Sequence, residues 1–457
     1  MLKRLLNLIS PRTKDSNSAP RPTSGSHSPV IIPRDLHNIS RKNISSAAIK
    51  IIKQLNDAGY AAYLVGGGVR DLLLNSNPKD FDVATDATPE QVKHLFRGAR
   101  IIGRRFQIVH VRMGREMIEV TTFRGHHDEA RSDEGMLLRD NVYGTLETDA
   151  MRRDFTVNAL YYTLKDFSVI DHCNGMADLK ARTLRMIGDP ATRYKEDPVR
   201  ILRALRFAAK LGFEIAPATA KPIPELSSLL NNVSEARLFE EVLKLFLAGS
   251  ATATFQLMRD YDVLPHLFPG TDAAFKRGDE ISAALIEQCM LSTDKRIRSD
   301  KTVTPAFIYA ALLWPAMQQQ FKELSEHMPP AAAWAQAGSN AISQQLTRTS
   351  IPKRFLIPMR EIWDLQQRLP SRLGMRALRT LDHPRFRAAY DFLLMREAAG
   401  EQLDGLGSWW THYQTADDEM REKMVKDLGR PASGGAKPRR RRGPRKPKSD
   451  QPTGGNQ

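Results

Sequence analysis

Three consecutive glycines, Gly66-Gly67-Gly68, run into Val69-Arg70 and are followed about a dozen residues later by Asp80-Phe81-Asp82. No other feature constrains the fold of this chain as tightly. AAYLVGG reads as a short buried strand, VRDLLLN as a helix and KDFDVAT as a second strand. Glycines at a strand-to-helix turn let backbone N–H groups approach a phosphate, and the helix start favours an anion. Side chains at i and i+2 of a strand share a face, so Asp80 and Asp82 would stand together and repel unless a cation lay between them. Hard oxygen ligands of that kind suit Mg²⁺. Taken singly, a glycine turn is most often only a turn and an Asp-x-Asp only a strand edge. At this spacing they place a triphosphate cradle beside metal ligands.

The surroundings extend the pattern. SAAIKIIKQLNDAG has the periodicity of an amphipathic helix closed by Gly59, and QIVHVRM and EMIEVTTFR alternate around Gly114-Arg115 as a hairpin would. From about residue 190 strand signals fade and helical periodicity continues to about 428, broken near Pro224, Pro269, Pro352 and Pro370. The expected fold class is α+β: a nucleotide-binding head with a small mixed or antiparallel sheet, then an all-helical remainder. Boundaries are expected at 1–42 for a basic extension, 43–190 for the head, 191–265 for a helical neck, 266–428 for a helical body and 429–457 for a basic tail.

Charge adds a partner class. The net charge is +16, with 68 Lys plus Arg against 52 Asp plus Glu. Residues 1–42 hold eight bases and two acids; residues 430–457 hold nine bases, including Arg439, Arg440, Arg441, Arg442, Arg445 and Lys446, and one acid. The two ends therefore carry +14 and the whole of 43–429 only +2. Neither end has the apolar content to offset the entropy of ordering it. Such a tail is either a solvated run or a sequence-independent grip on phosphates. Within the body, residues 348–396 carry eleven bases and four acids, interleaved with Trp363, Phe386 and Tyr390, either core aromatics or part of an RNA surface. Two cysteines, Cys173 and Cys289, support no disulfide framework and fit a reducing cytosol. No apolar run is long enough to span a membrane, and MLKRLLNLI is too short for a secretory signal.

LVGGGVRD followed by KDFDVAT resembles the class II nucleotidyltransferases, the polymerase-β-like superfamily that includes bacterial poly(A) polymerases and tRNA CCA-adding enzymes. MRRDFTVNALYY and RYKEDPVRILRALRFAAKLGFEI resemble later motifs of the same family, in order, over roughly residues 45–265. The resemblance implies nucleotidyl transfer with two Mg²⁺ ions held by Asp80 and Asp82. A third carboxylate is expected from Glu119 or Asp154; sequence leaves both open. As a strand residue Glu119 could instead be merely exposed, and Asp154 could cap a helix. Gly66, Gly67, Arg70, Arg124, Arg152, Arg153 and Asn158 are expected around the ATP. Asp197-Pro198 reads as a helix N-cap with proline at the first turn, placing Arg200, Arg203 and Arg206 along one gradually rotating face. By resemblance Asp197 and Arg200 form the protein template that reads the base edge, with Arg203 and Arg206 on phosphates or bracing the fold.

The segment RGHHDEARSDEGMLLRDNVYGTLETDA and the stretch from Arg348 to Arg396 resemble bacterial poly(A) polymerases, and no His-Asp dipeptide follows Leu211. The expected activity is template-independent AMP addition from ATP to RNA 3′ ends. The alternatives are CCA addition to tRNA and a non-catalytic RNA-binding protein on the same fold. A cytoplasmic monomer is expected, with RNA-degradation or RNA-chaperone proteins as further partners.

Overall fold

The computed structural model describes residues 28–103, 107–125 and 142–429. Residues 1–27 and 430–457, the latter holding Arg439 to Lys446, and most of the segment after Arg124 lie outside them. Residues 28–42 of the expected basic extension are ordered instead: Val30–Ile32 pairs with Val169–Asp171 as a sheet strand, so the head begins before residue 43. By contact the chain forms two units. One gathers the described residues up to Ala273 with Met290–Thr302 and Ser343–Ser350; the other holds Ala274–Cys289, Val303–Ile342 and the described residues from Ile351.

The first unit is built on an eight-stranded mixed sheet. Its strands are β1 (Val30–Ile32), β2 (Ala62–Val65), β3 (Asp82–Thr85), β4 (Ala99–Ile102), β5 (Ile108–Met113), β6 (Glu116–Thr122), β7 (Leu160–Tyr162) and β8 (Val169–Asp171). The order is β1-β8-β7-β2-β3-β6-β5-β4, antiparallel throughout except for the β3–β6 pair. That parallel pair sets Asp82 directly beside Glu119. The hairpin turns at Gly114-Arg115, with Gly114 at φ +63°.

The helices of this unit up to residue 211 are α1 (Ser46–Asp57), α2 (Gly67–Leu73), α3 (Pro89–Leu95), α4 (Leu146–Arg152), α5 (Gly175–Lys180), α6 (Pro190–Glu196) and α7 (Val199–Leu211), and further helices, among them Glu235–Phe246 and Ala251–Asp260, follow. Helix α1 starts where the Ser45 hydroxyl accepts the N–H groups of Ala47 and Ala48 at 3.1 and 3.3 Å. It stops in a Schellman motif: Gly59 takes φ +90°, its N–H donates to the Asn56 carbonyl, and the Tyr60 N–H donates to Leu55. Its buried stripe is Ala47, Ala48, Ile51, Ile52 and Leu55. Helix α7 buries Leu202, Leu205 and Ala208 and closes on Gly212 at φ +63°. Its opposite face is where the arginines fall.

Two further details differ from the sequence expectation. Strand β3 begins at Asp82, so Asp80 precedes it: β2 pairs with β3 no further than Val65↔Asp82, because the chain leaves the sheet at the Gly66 turn. A parallel pair, Thr183–Leu184 with Glu214–Ile215, also places a strand in the region expected to be wholly helical.

The second unit is helical. Its core includes Leu365, Leu369, Phe386, Tyr390, Leu393 and Trp410. Trp363 is 1 % exposed and donates its indole N–H to the Ala310 carbonyl at 3.0 Å. Trp363, Phe386 and Tyr390 are therefore core residues, not an RNA surface. Prolines fall inside two long helices, Pro315 in Pro305–Ser325 and Pro358 in Lys353–Arg368. Among the described residues no helix is long and apolar enough to cross a membrane.

Candidate active site

A cleft of about 560 Å³ in the first unit gathers residues from four parts of the chain: Gly66 to Asp71 at the β2–α2 turn, Ser76 to Asp82 before and at β3, Arg153 to Asn158 after α4, and Arg203 to Leu211 on α7. Asp80 and Asp82 both line it. Asp82 and the neighbouring Glu119 share a register position. Asp82 is pushed up to about 6, first because burial disfavours its charge, then because Glu119 and Asp80 repel it, with Arg153 opposing them. A carboxylate held that far above its ordinary value marks negative charge without full compensation.

Among the described residues no group of three His, Cys, Asp or Glu side chains is assembled closely enough to hold an ion as it stands. The donor set nonetheless fits a divalent cation. Asp80 and Asp82 line the cleft, and Glu119, outside its lining, stands beside Asp82 in the sheet; all three are hard oxygen donors, and a cation among them would relieve the repulsion that raises Asp82.

Asp154 has a different environment. Its Oδ2 accepts from Arg203 Nε at 2.7 Å and Nη2 at 2.5 Å; its Oδ1 accepts from the Phe155 N–H at 2.8 Å and Asn158 Nδ2 at 3.2 Å. Burial alone would raise its pKa, but these donors outweigh it and hold the carboxyl at about 2. Both carboxylate oxygens are thus already engaged. Among the described residues Glu119 instead accepts from His110 Nε2 alone, at 3.3 Å, with its side chain half exposed. The Asp154 side chain caps no helix: the following single turn, Thr156–Asn158, has no side-chain cap.

Gly66 has φ +73°, and a Cβ there would stand 3.5 Å from Arg153 Nη1 and 4.0 Å from Asp82 Oδ2. The turn thus brings backbone, guanidinium and carboxylate within a few ångströms. Arg153 is held from behind by the Asp149 carboxylate at 3.0 Å and the Tyr161 hydroxyl at 2.9 Å. Arg70 is 2 % exposed, bound to Asp71 and to Asn158 Oδ1, and lies over Phe207. The Asn158 amide is therefore occupied at both ends, by Arg70 and Asp154.

The expected arginines separate into two groups. Arg70, Arg153, Arg203 and Arg206 line the cleft, with Gly66, Gly67 and Asn158. Arg124, Arg152, Asp197 and Arg200 do not. Arg152 donates to the Gly125 carbonyl at 2.7 Å, and Arg124 forms a bridge with Tyr143. Asp197 and Arg200, expected together at the base edge, each hold a partner of their own. Asp197 pairs with Arg237 at 2.8 Å, from the helix Glu235–Phe246, and Arg200 pairs with Glu196 at 3.0 Å while donating to the Arg193 carbonyl. The reason is geometry: Glu196 lies four residues before Arg200 and can meet it, whereas Asp197 turns toward the helix Glu235–Phe246. Asp197 does accept the Val199 N–H at 3.3 Å, as an N-cap would.

Several cleft residues escaped the sequence reading, among them Lys79, Phe207 and Lys210. Lys79 directly precedes Asp80, and Lys210 follows Arg206 by one turn; both spacings were visible but unremarked. Phe207 had no signal, being one apolar residue of an amphipathic helix, yet Arg70, Arg203 and Arg206 lie 4.6 to 5.2 Å from its ring centre.

Comparison with known proteins adds the lineage. Residues 62–185 match the poly A polymerase head domain, 212–275 the probable RNA and SrmB-binding site of polymerase A, and 326–447 the polymerase A arginine-rich C-terminus. The chain is 47 % identical to poly(A) polymerase I of Salmonella typhimurium over 431 residues, 91 % of this chain and 92 % of that one. The CCA-adding enzyme of Lactobacillus johnsonii is 37 % identical over 220 residues, 48 % of this chain and 54 % of that one. The crystal structure of the Bacillus stearothermophilus CCA-adding enzyme in complex with CTP superposes with a TM-score of 0.54 and 25 % identity, covering 85 % of this chain and 84 % of that one. The CCA-adding likeness in sequence thus stops at about half the chain, while the other runs from the head through the helical remainder, and the chain belongs to the bacterial poly(A) polymerase I family.

Proposed function

We propose that this protein is a polynucleotide adenylyltransferase, transferring AMP from ATP to RNA 3′ ends without a template. The observation that carries the chemistry is the cleft itself: uncompensated carboxylates at one end, and a wall of cations from α7 at the other. The choice of ATP and RNA rests on likeness to poly(A) polymerase I over nine-tenths of the chain. CCA addition to tRNA is the second reading, favoured only by the half-length likeness.

In this reading Asp80 and Asp82 hold two Mg²⁺ ions and Glu119 is the third carboxylate, because Asp154 already has all its acceptors taken. When bound, the ions would lower the pKa of the attacking 3′-hydroxyl and neutralise the departing pyrophosphate. The chain's own residues do the rest. The Gly66 turn leaves room for the triphosphate against the backbone. Arg153, pre-positioned by Asp149 and Tyr161, faces that turn and offers its outer nitrogen to a phosphate oxygen. Arg203 and Arg206 extend the positive wall, while the Asp154–Asn158–Arg70 chain holds Arg203 and the turn in fixed relation. Asp197 and Arg200 remain the proposed base readers, each steadied by a partner, Arg237 and Glu196. Arg124 and Arg152 are proposed to stay near the nucleotide only through the segment they anchor. Outside the described residues, Arg439 to Arg442, Arg445 and Lys446 are proposed to grip RNA phosphates. A cytoplasmic monomer that meets RNA-degradation or RNA-chaperone proteins completes the reading.

The test is to offer an RNA without a tRNA-like end to each nucleoside triphosphate separately and to size the products. A long ladder with ATP alone is expected. Extension confined to tRNA and ending after C, C and A would overturn the reading in favour of the second one. No extension of any RNA, with binding intact, would favour a non-catalytic protein.

A further inference from the structure

In the second unit, helix Lys353–Arg368 ends and the chain turns into helix Arg376–Leu381. The turn is pinned at its start, where the Leu369 carbonyl accepts the Trp410 indole N–H at 3.0 Å. Beyond that point it stands out. Leu373 is 54 % and Met375 60 % exposed, on either side of Gly374 at φ +60°. Arg368, Arg372, Arg376 and Arg379 each lie within five residues of one of these two apolar side chains. None of the four has a carboxylate partner among the described residues, although nearby Arg385, Arg387 and Arg396 all do. Arg372 has no partner for its buried Nε, and its guanidinium lies over the Trp409 indole, 5.0 Å from the ring centre. Trp409 in turn stacks on Tyr413 at 4.6 Å and 15°. It also borders a groove of about 640 Å³ with His412, Met420 and Met424.

Four cations in twelve residues without counter-ions suit a polyanion. They would be costly to cover with a neutral protein surface, since each would lose hydration with nothing to replace it. Exposed apolar side chains and a guanidinium over an indole suit flat nucleobases, which stack on aromatic and guanidinium planes alike. We propose that the turn between Arg368 and Arg379 is a binding site for single-stranded RNA, in which one base stacks on the Arg372–Trp409 pair and Arg368, Arg376 and Arg379 take the adjoining phosphates. This rests on the reading that the substrate is RNA. It adds a site in the second unit, outside the catalytic cleft and outside the segment matched to a probable RNA-binding region. Because stacking is indifferent to base order, the site would hold any single strand, including the adenylate product.

The experiment uses the full chain and an end-labelled oligo(A) of about twenty nucleotides, titrated at several salt concentrations. Arg376→Ala with Arg379→Ala is expected to weaken binding about tenfold. It should also reduce the slope of log affinity against log salt by about 1.4, or ~0.7 for each lost phosphate contact. Arg372→Lys keeps the charge and loses the plane. It is expected to lose about fivefold on oligo(A) and nothing on an oligomer with abasic riboses at its centre. Circular dichroism checks that each variant is folded. AMP transfer to a trinucleotide primer, whose affinity rests on the cleft, should stay within twofold. An unchanged salt slope in the double variant would overturn the site and leave the patch to a protein partner. Equal losses for Arg372→Lys on both oligomers would overturn the stacking. Absence of AMP transfer in the unaltered enzyme would count against the proposed function alone, since RNA binding is measured without ATP.

Discussion

Asp154→Asn tests the central electrostatic claim, because it removes one charge and leaves the shape nearly intact. Asp154 receives two N–H groups from Arg203, one from Asn158 and one from the Phe155 backbone. Those donors hold its carboxyl at about 2, against an ordinary 3.8. At about 1.4 kcal/mol for each tenfold step, the difference is worth roughly 2 kcal/mol at neutral pH. The sign follows from the direction. A carboxyl held low in the folded protein binds protons more weakly there than in the unfolded chain. Its contribution is therefore fully present above about pH 4 and disappears as pH falls toward 2. Asparagine keeps an acceptor for Arg203 but not the charge, and it leaves Arg203 without its hydrogen-bonded counter-ion, with only the weaker pull of Glu241 and Asp197. A loss of about 2 kcal/mol at pH 7 is expected, shrinking below pH 4. All five tryptophans, Trp314, Trp334, Trp363, Trp409 and Trp410, lie in the second unit, so their fluorescence reports on the part not altered. Amide hydrogen exchange in peptides covering α7 and residues 153–162 reports on the altered part. Faster exchange there at pH 7, with the tryptophan transition in urea unmoved, is the expected pattern. A loss under about 0.5 kcal/mol at pH 7 would refute the assignment of Asp154 as the structural clamp and return it to the list of metal ligands.

Other substitutions probe the remaining claims. Asp82→Ala is expected to abolish AMP transfer with RNA affinity unchanged, and Glu119→Gln to reduce kcat at least about a hundredfold while raising the Mg²⁺ needed for half activity; a Glu119 variant with unaltered Mg²⁺ dependence would remove it from the metal site. Gly66→Ala should cost about 1–2 kcal/mol of head stability, because φ +73° is disfavoured for a residue with a side chain, and should raise the KM for ATP by placing a methyl group 3.5 Å from Arg153. Arg200→Ala is expected to relax the preference for ATP over CTP, measured as the ratio of kcat/KM values; a change confined to RNA affinity would contradict base reading. Deleting 430–457 should flatten the salt dependence of RNA binding and leave the KM for ATP alone.

Much of the site was legible in the sequence because its chemistry is local. A glycine turn, a pair of aspartates two residues apart and arginines at helical spacing announce themselves within a few residues. Gly59 and Gly114 likewise sit where a helix must stop or a hairpin must turn. The charge partition needed only counting, and it separated the basic ends from a nearly neutral body. What the chain order could not supply was pairing across distance. Glu119 and Asp154 are equal candidates in the sequence; the parallel register of β3 and β6 puts Glu119 beside Asp82, and Arg203, forty-nine residues from Asp154, binds that carboxylate, which is the ground on which Glu119 is proposed. Asp197 and Arg200 stand three residues apart, yet the fold gives each a different ion-pair partner, Arg237 and Glu196. Trp363 and Trp409 have the same side chain; only packing buried one against Ala310 and left the other bordering a groove beneath Arg372. A residue's chemistry is carried by its own atoms and can be read alone. Its charge state and its role depend on which groups lie within a few ångströms, and the tertiary fold chooses those.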